Sequence, residues 1–193
     1  MKITFATNNQ NKLNEVQNQL GDAFELGTLL EIGCTEDVPE TSNTIEGNAI
    51  QKAQYIWDMY QVNCFADDTG LMIESLNGEP GVYSARYAGD QKDSNDNIEL
   101  VLNNLLGKKN RKAYFQTTIA LIIDGEITTF SGRINGLIRL KKSGKDGFGY
   151  DPIFEPAGFD VTFSEMSMEQ KNAISHRGKA VKKLVHFLQQ RQR

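Results

Sequence analysis

Lys2-Ile3-Thr4-Phe5-Ala6-Thr7-Asn8-Asn9-Gln10-Asn11-Lys12-Leu13-Asn14-Glu15-Val16-Gln17-Asn18-Gln19-Leu20 opens the chain, and its reading decides the fold class. Lys2 to Ala6 is short and β-prone, so it predicts a strand. Leu13, Val16 and Leu20 recur at helical spacing, and Thr7-Asn8-Asn9 separates the two patterns. Strand, polar turn and helix in that order predict an α/β architecture.

The same alternation continues along the chain. Ile45, Ala49, Ala53, Ile56, Trp57 and Tyr60 share one face, predicting a helix from about Thr44 to Tyr60. A strand is expected from Val62 to Ala66, stopping at the loop-forming cluster Asp67-Asp68-Thr69-Gly70, so that the acidic pair sits at a strand end. Extended structure resumes at Leu71-Met72-Ile73, and Glu79-Pro80-Gly81 reads as a turn. Ile98, Val101, Leu102 and Leu105 mark another helix. Tyr114 to Ile123 and Glu126 to Ser131 flank Asp124-Gly125 as a hairpin. Ser167 with Gln170 fits a capping box, and Ala180, Leu184 and Leu188 line a closing helix whose basic tail is expected to fray. No repeat, low-complexity segment or linker interrupts residues 1–193, which predicts one compact α/β or α+β unit with a mixed sheet.

Bulk properties narrow the function classes. With 193 residues, 39% hydrophobic and 24% charged, the chain has the composition of an ordinary globular protein. No apolar run reaches the ~20 residues of a membrane span, and no secretory leader opens the sequence, so no membrane partner and a cytoplasmic address are expected. A net charge of −4 argues against a nucleic acid polymer as partner. Cys34 and Cys64 are isolated and read as small buried hydrophobes.

Four polar clusters have the residue types for phosphate and metal chemistry. Thr7-Asn8-Asn9-Gln10-Asn11-Lys12 places backbone N–H groups, a helix dipole and an ammonium where they can hold an anion. Taken alone, it is equally an Asx-type turn with Asn11 capping the helix. Asp67-Asp68-Thr69-Gly70 with Glu40 offers hard oxygen ligands for a divalent cation, or else a strand end and a solvated loop residue. Phe148-Gly149-Tyr150-Asp151 presents an aromatic between glycines that can stack on a base, or a hairpin tip with Phe148 in the core. Lys171 with Ser175-His176-Arg177 gathers cations near the start of the last helix, or forms an ordinary N-cap. His176 and His186 make neither a His-rich metal site nor a nucleophile triad.

Together the stretches FATNNQNKLNE at 5–15, PETSNTIEGNAIQKA at 39–53, ADDTGL at 66–71, PGVYSARYAG at 80–89, GFGYDPIF at 147–154 and EQKNAISHRGKA at 169–180 resemble the inosine triphosphate pyrophosphatase family, from Phe5 to Leu184. The resemblance implies an elongated mixed α/β fold with two lobes about a central cleft, a homodimer, Mg²⁺, and hydrolysis of purine nucleoside triphosphates such as ITP, dITP and XTP to the monophosphate and pyrophosphate. It implies that Asp68 is the catalytic base and a metal ligand, Glu40 the other metal carboxylate, and Asp67 a supporting neighbour. Thr7, Asn8, Asn9, Gln10, Asn11, Lys12 and Lys171 resemble the phosphate-binding elements, and Thr69 stands where Ser is common in a substrate-contacting loop. Phe148, Gly149, Tyr150, Asp151, His176 and Arg177 match the nucleobase pocket, with Phe148 stacking on the purine and Arg177 or a backbone N–H donating to its C6 oxygen. Ile45, Gly47 and Arg139 to Ser143 depart from the usual pattern.

Beside a purely structural or interaction protein whose clusters are all turns and caps, two rival readings remain on the residues alone. One is an aspartyl-phosphate phosphatase, although adjacent Asp67 and Asp68 lack the one-residue spacing of the haloacid-dehalogenase-like signature. The other is a nucleotide- or RNA-binding module using Phe148 and Tyr150.

Overall fold

The computed structural model describes residues 2–20 and 24–191. β1 (Lys2–Phe5) leads through the polar turn into α1 (Gln10–Leu20) and β2 (Glu25–Gly27). α2 (Ile45–Tyr60), β3 (Cys64–Ile73), β4 (Pro80–Gly81) and α3 (Ser94–Asn104) follow. β5 (Lys112–Ile123), β6 (Glu126–Ile138), β7 (Phe154–Pro156), α4 (Met168–Ile174) and α5 (His176–Arg191) complete the order. The sheet runs β2-β1-β3-β5-β6-β7, with β4 paired to β3 off this path. β1 pairs in parallel with both β2 and β3, whereas β3–β4 and β6–β7 are antiparallel, so the expected mixed α/β class is the one observed.

The chain divides into two compact units. Unit 1 comprises residues 1–68, 117–132 and 177–193, and unit 2 comprises 69–116 and 133–176. In unit 1 the alternation of strand side chains builds two cores. Phe65, Ile119, Leu121 and Ile123 join Val16 and Leu20 of α1 and Ala180, Val181, Leu184 and Leu188 of α5. Their neighbours Cys64, Ala66, Ala120 and Ile122 turn the other way onto Ala49, Ala53 and Ile56 of α2. This period of two, with both faces covered, is what a buried central strand requires. Cys34 and Cys64 are both buried free thiols, as expected, and burial pushes the Cys64 thiol up to about 12. Unit 2 has its own core, in which Ile98, Val101 and Leu105 pack with Leu71, Ile73, Phe115, Phe154 and Phe163.

Local chemistry explains several boundaries. Thr44 caps α2, its Oγ1 accepting from Gly47 N at 3.0 Å. Ser167 and Gln170 form the expected capping box on α4. Asp124 and Gly125 both have positive φ, 52° and 85°, the backbone of the tight hairpin turn whose twist suits the flanking strands.

Four expectations are corrected. β3 does not stop at Asp67: it runs unbroken from Cys64 to Ile73, and the acidic pair lies mid-strand. The carboxylates are tolerated there because cations and an amide from other elements meet them. Pro80–Gly81 is a short strand on β3, not only a turn. Asn9, not Asn11, caps α1, its Oδ1 accepting from Asn11 N at 3.0 Å and Lys12 N at 3.2 Å. The basic tail does not fray at Leu188, for α5 continues to Arg191, which pairs with Glu126 at 3.0 Å; 192–193 lie outside the described residues.

One packing prediction follows from β6. Gly136 faces Pro156 of β7, and a Cβ there would lie 2.6 Å from Phe154 Cζ and 3.1 Å from the Glu155 carbonyl carbon. Gly136→Ala is expected to destabilise the protein by about 1–3 kcal/mol through overpacking, read as a lower urea midpoint at unchanged slope.

Candidate active site

Unit 1 carries two charged constellations, and the adjacent residues Asp67 and Asp68 belong to different ones. Side chains alternate along β3, so Asp67 follows Phe65 toward α1 and α5 while Asp68 follows Cys64 and Ala66 toward α2.

On the α1–α5 face Asp67 is almost fully buried, at 1% exposure. Its Oδ1 accepts from Lys12 Nζ at 2.8 Å and its Oδ2 from Arg177 Nε at 3.2 Å. Arg177 Nη1 also donates to Glu15, which is buried on α1 one turn beyond Lys12. Two cations and two carboxylates thus balance in the interior. Burial alone would raise the Asp67 carboxyl, but Lys12 and Arg177 outweigh it and hold it far below the usual carboxylate range. Burial lowers the Lys12 ammonium against the opposing pull of Asp67. Thr7 Oγ1 accepts from Asn9 N at 3.2 Å, fixing the turn, while Asn8, Asn9, Gln10 and Asn11 remain exposed.

On the α2 face Asp68 Oδ2 accepts from Asn48 Nδ2 at 3.0 Å, and Asp68 Oδ1 lies 3.9 Å from Lys52 Nζ. Lys52 also donates to Glu40. Burial raises the Asp68 carboxyl despite the nearby Lys52 and Lys12. For Glu40, burial pulls upward, but Lys52 prevails and the carboxyl sits below its ordinary value. Among the described residues no group of three or more His, Cys, Asp or Glu side chains is gathered at metal-ligand spacing. Glu40 and Asp68 nevertheless face one common cation, and two carboxylate oxygens are a donor set that fits Mg²⁺, which is typically held by one or two carboxylates plus substrate phosphates.

Unit 2 places Thr69, Phe148, Gly149, Tyr150, Asp151, Lys171 and His176. Asp151 Oδ2 accepts from Phe148 N at 2.8 Å and from Lys171 Nζ at 2.7 Å. Lys171 Nζ also lies 4.7 Å from the centre of the half-buried Phe148 ring. Gly147, at φ 80°, passes so close to Asp151 that a side chain there would strike its carboxylate. Lys171 thereby groups with Phe148 and Asp151, whereas Lys12 belongs to unit 1. Tyr150 is a core residue: it is buried, and its hydroxyl donates to Ser84 O at 2.8 Å. His176 is buried and stacks on Phe115 with ring centres 4.5 Å apart. Arg177, expected at the purine edge, donates from Nε to Asp67 and from Nη1 to Glu15.

Glu15, Asn48 and Lys52 were not singled out by sequence reasoning. All three had a readable signal, since Asn48 and Lys52 fall on the buried stripe of α2 with Ile45, Ala49, Ala53 and Ile56, and Glu15 lies three residues after Lys12. A polar residue on an apolar stripe has a partner to meet.

A parallel-containing α/β sheet with an ammonium-bearing polar turn after its first strand, and carboxylates mid-strand, defines the class: an α/β protein with paired charged side chains gathered on its sheet. The Ham1 family model matches residues 3–187. The dITP/XTP pyrophosphatase of Flavobacterium johnsoniae is 52% identical over 188 residues, covering 97% of this chain and 98% of the relative. That of Bacillus subtilis is 45% identical over 188 residues, covering 95% of each. The solved structure of the Staphylococcus aureus Ham1 protein superimposes with a TM-score of 0.90 at 40% identity, over 99% of this chain and all of that one, 100%. A Coxiella burnetii HAM1 protein gives 0.91 at 37% identity, over 98% and 99%. The chain belongs to the Ham1 family.

Proposed function

We propose that this protein hydrolyses the triphosphates of non-standard purine nucleosides, ITP, dITP and XTP, to the monophosphate and pyrophosphate. The observation that carries the reading is the pair Glu40 and Asp68 facing one cation in the same unit as Lys12, in a chain about half identical to a dITP/XTP pyrophosphatase. Unit 1 supplies the groups for phosphate and metal, and unit 2 those for the base.

Mg²⁺ held by Glu40 and Asp68 would supply positive charge to the phosphate oxygens around the point of attack. Lys12, fixed by Asp67, adds a second positive charge for the triphosphate. Asp68 accepts the proton of the attacking water, its free-rotation removed by Asn48, and the water attacks the α-phosphorus in line. Attack there puts solvent oxygen in the monophosphate; solvent label found in pyrophosphate instead would refute this step.

Phe148 stacks on the purine, and Lys171 and Asp151 read its edge with backbone N–H groups of the same segment. Arg177 donates from Nε and Nη1 to Asp67 and Glu15, and the donor to the C6 oxygen is another N–H of Arg177 or a backbone N–H. Adenine presents a donor at C6 and leaves a buried donor unpaired, so ATP is rejected. Phe148→Ala is expected to lower kcat/KM for ITP about tenfold or more, the scale of one lost base stack, measured by initial rates.

The deciding experiment is pyrophosphate release from ITP, dITP, XTP, GTP and ATP with and without Mg²⁺. Fast Mg²⁺-dependent release from the first three supports the reading, and single phosphate or no turnover refutes it. Guanine differs from hypoxanthine by a 2-amino group that a donor-lined edge at C2 is expected to reject, and GTP turned over as fast as ITP would refute that discrimination. The homodimer implied by the resemblance and the cytoplasmic address expected from the sequence belong to this proposal, the former tested by sedimentation. No described helix is long and apolar enough to cross a membrane.

A further inference from the structure

The side chain between Glu40 and Asp68 is a lysine, and its surroundings hold it in place. Lys52 donates to Glu40 and stands 3.9 Å from Asp68 Oδ1, with only 7% of its side chain exposed. One turn earlier on α2, Asn48 is fixed end to end. Its Oδ1 accepts from Ser42 N at 2.8 Å, so Nδ2 must be the atom that donates to Asp68 Oδ2, leaving Asp68 Oδ1 toward Lys52. The loop bearing Glu40 is tied to the same helix, because Thr41 N donates to Gln51 Oε1 at 2.8 Å and Gln51 Nε2 donates to Thr41 Oγ1 at 2.9 Å. The residue after Glu40 is thus clamped to the residue before Lys52.

Two carboxylates and one ammonium sum to a single negative charge. A lone divalent cation entering between the carboxylates meets an ammonium a few ångströms away and must displace it, which opposes binding strongly in a partly dry site. A triphosphate changes that balance by bringing several negative charges of its own. The geometry points to Lys52 as a resident cation that keeps the divalent ion out of the Glu40–Asp68 pair until nucleotide arrives, so that metal uptake accompanies nucleotide binding. This inference rests on the metal reading above and adds to it an order of binding.

The test is Mn²⁺ binding, followed by the electron paramagnetic resonance of the free ion, on the full chain and on Lys52→Met and Lys52→Gln. Each is titrated with and without the α,β-methylene analogue of ITP. The wild type is expected to bind Mn²⁺ weakly alone and tightly with the analogue. Both variants should bind Mn²⁺ alone at least about tenfold more tightly than wild type, and should lose most of the gain the analogue provides. Variants matching wild type in the absence of the analogue, while wild type binds Mn²⁺ in its presence, overturn the role of Lys52 alone. A wild type that takes up no Mn²⁺ even with the analogue overturns the metal reading and this inference with it. Should neither variant fold, lysine ¹³Cε resonances of the wild type decide: the Lys52 signal should move with Mg²⁺ plus analogue and stay with Mg²⁺ alone. The same movement with Mg²⁺ alone refutes the inference.

Discussion

Asp68→Asn is expected to lower kcat for ITP by roughly 10²–10⁴ while leaving the protein folded. The substitution keeps the shape of the side chain, and Asn48 Nδ2 still finds an oxygen acceptor at position 68. What is lost is the charged oxygen directed toward Lys52, and with it the group that takes a proton from water and one of two carboxylates for the metal. Because burial raises the Asp68 carboxyl, removing its charge relieves a desolvation penalty, so the thermal midpoint should stay within a few degrees of wild type or rise. Activity is read as pyrophosphate release at saturating Mg²⁺, and folding by circular dichroism. A variant with near wild-type kcat removes Asp68 from the chemistry.

Asp67→Ala is expected to act in the opposite way, destabilising the protein by about 3–5 kcal/mol. Lys12 and Arg177 would remain in the interior near Glu15, having lost the carboxylate that meets both of them. Urea denaturation at pH 7 measures this. The pH dependence has a definite sign. The Asp67 carboxyl is depressed in the folded protein from an unfolded value of 3.8, so its contribution is fully present above about pH 4 and is lost as pH falls further. Wild type should therefore lose stability as pH falls below about 4, within the range where other carboxylates also titrate, and the Asp67→Ala variant should lose less over the same interval. Equal slopes in the two proteins would show that Asp67 is not a major source of the acid sensitivity.

The helices and most strands were legible because their signals are local. Leu13, Val16 and Leu20 on α1, the α2 stripe, the Ser167–Gln170 box and Asp124-Gly125 each announce an element through neighbours within a few residues. Asp67-Asp68-Thr69-Gly70 was misread as a loop for the converse reason. The groups that make mid-strand carboxylates tolerable lie 55 residues away at Lys12 and 110 away at Arg177. No window on the sequence contains them. The same distance effect hid the pairing of Arg177 with Asp67 and Glu15, since a guanidinium goes where buried carboxylates are, and Glu15 lies 162 residues from it. Lys52 and Asn48 went unnoticed although their signal was local.

The discontinuity of unit 1 bears on how the chain is made. Its β1–α1 start, its β5–β6 turn and its α5 helix are separated in sequence by the whole of unit 2, yet Val16, Phe65, Leu121 and Leu184 share one core. A nascent polypeptide still lacking α5 has neither the apolar face that closes this core nor the guanidinium that meets Asp67 and Glu15. Synthesis from the N-terminus therefore leaves the earliest-made segment waiting for the latest, as expected where contacts are non-local. A polypeptide arrested or cleaved before Arg177 should be a substrate for proteases and chaperones, not a slightly shortened enzyme.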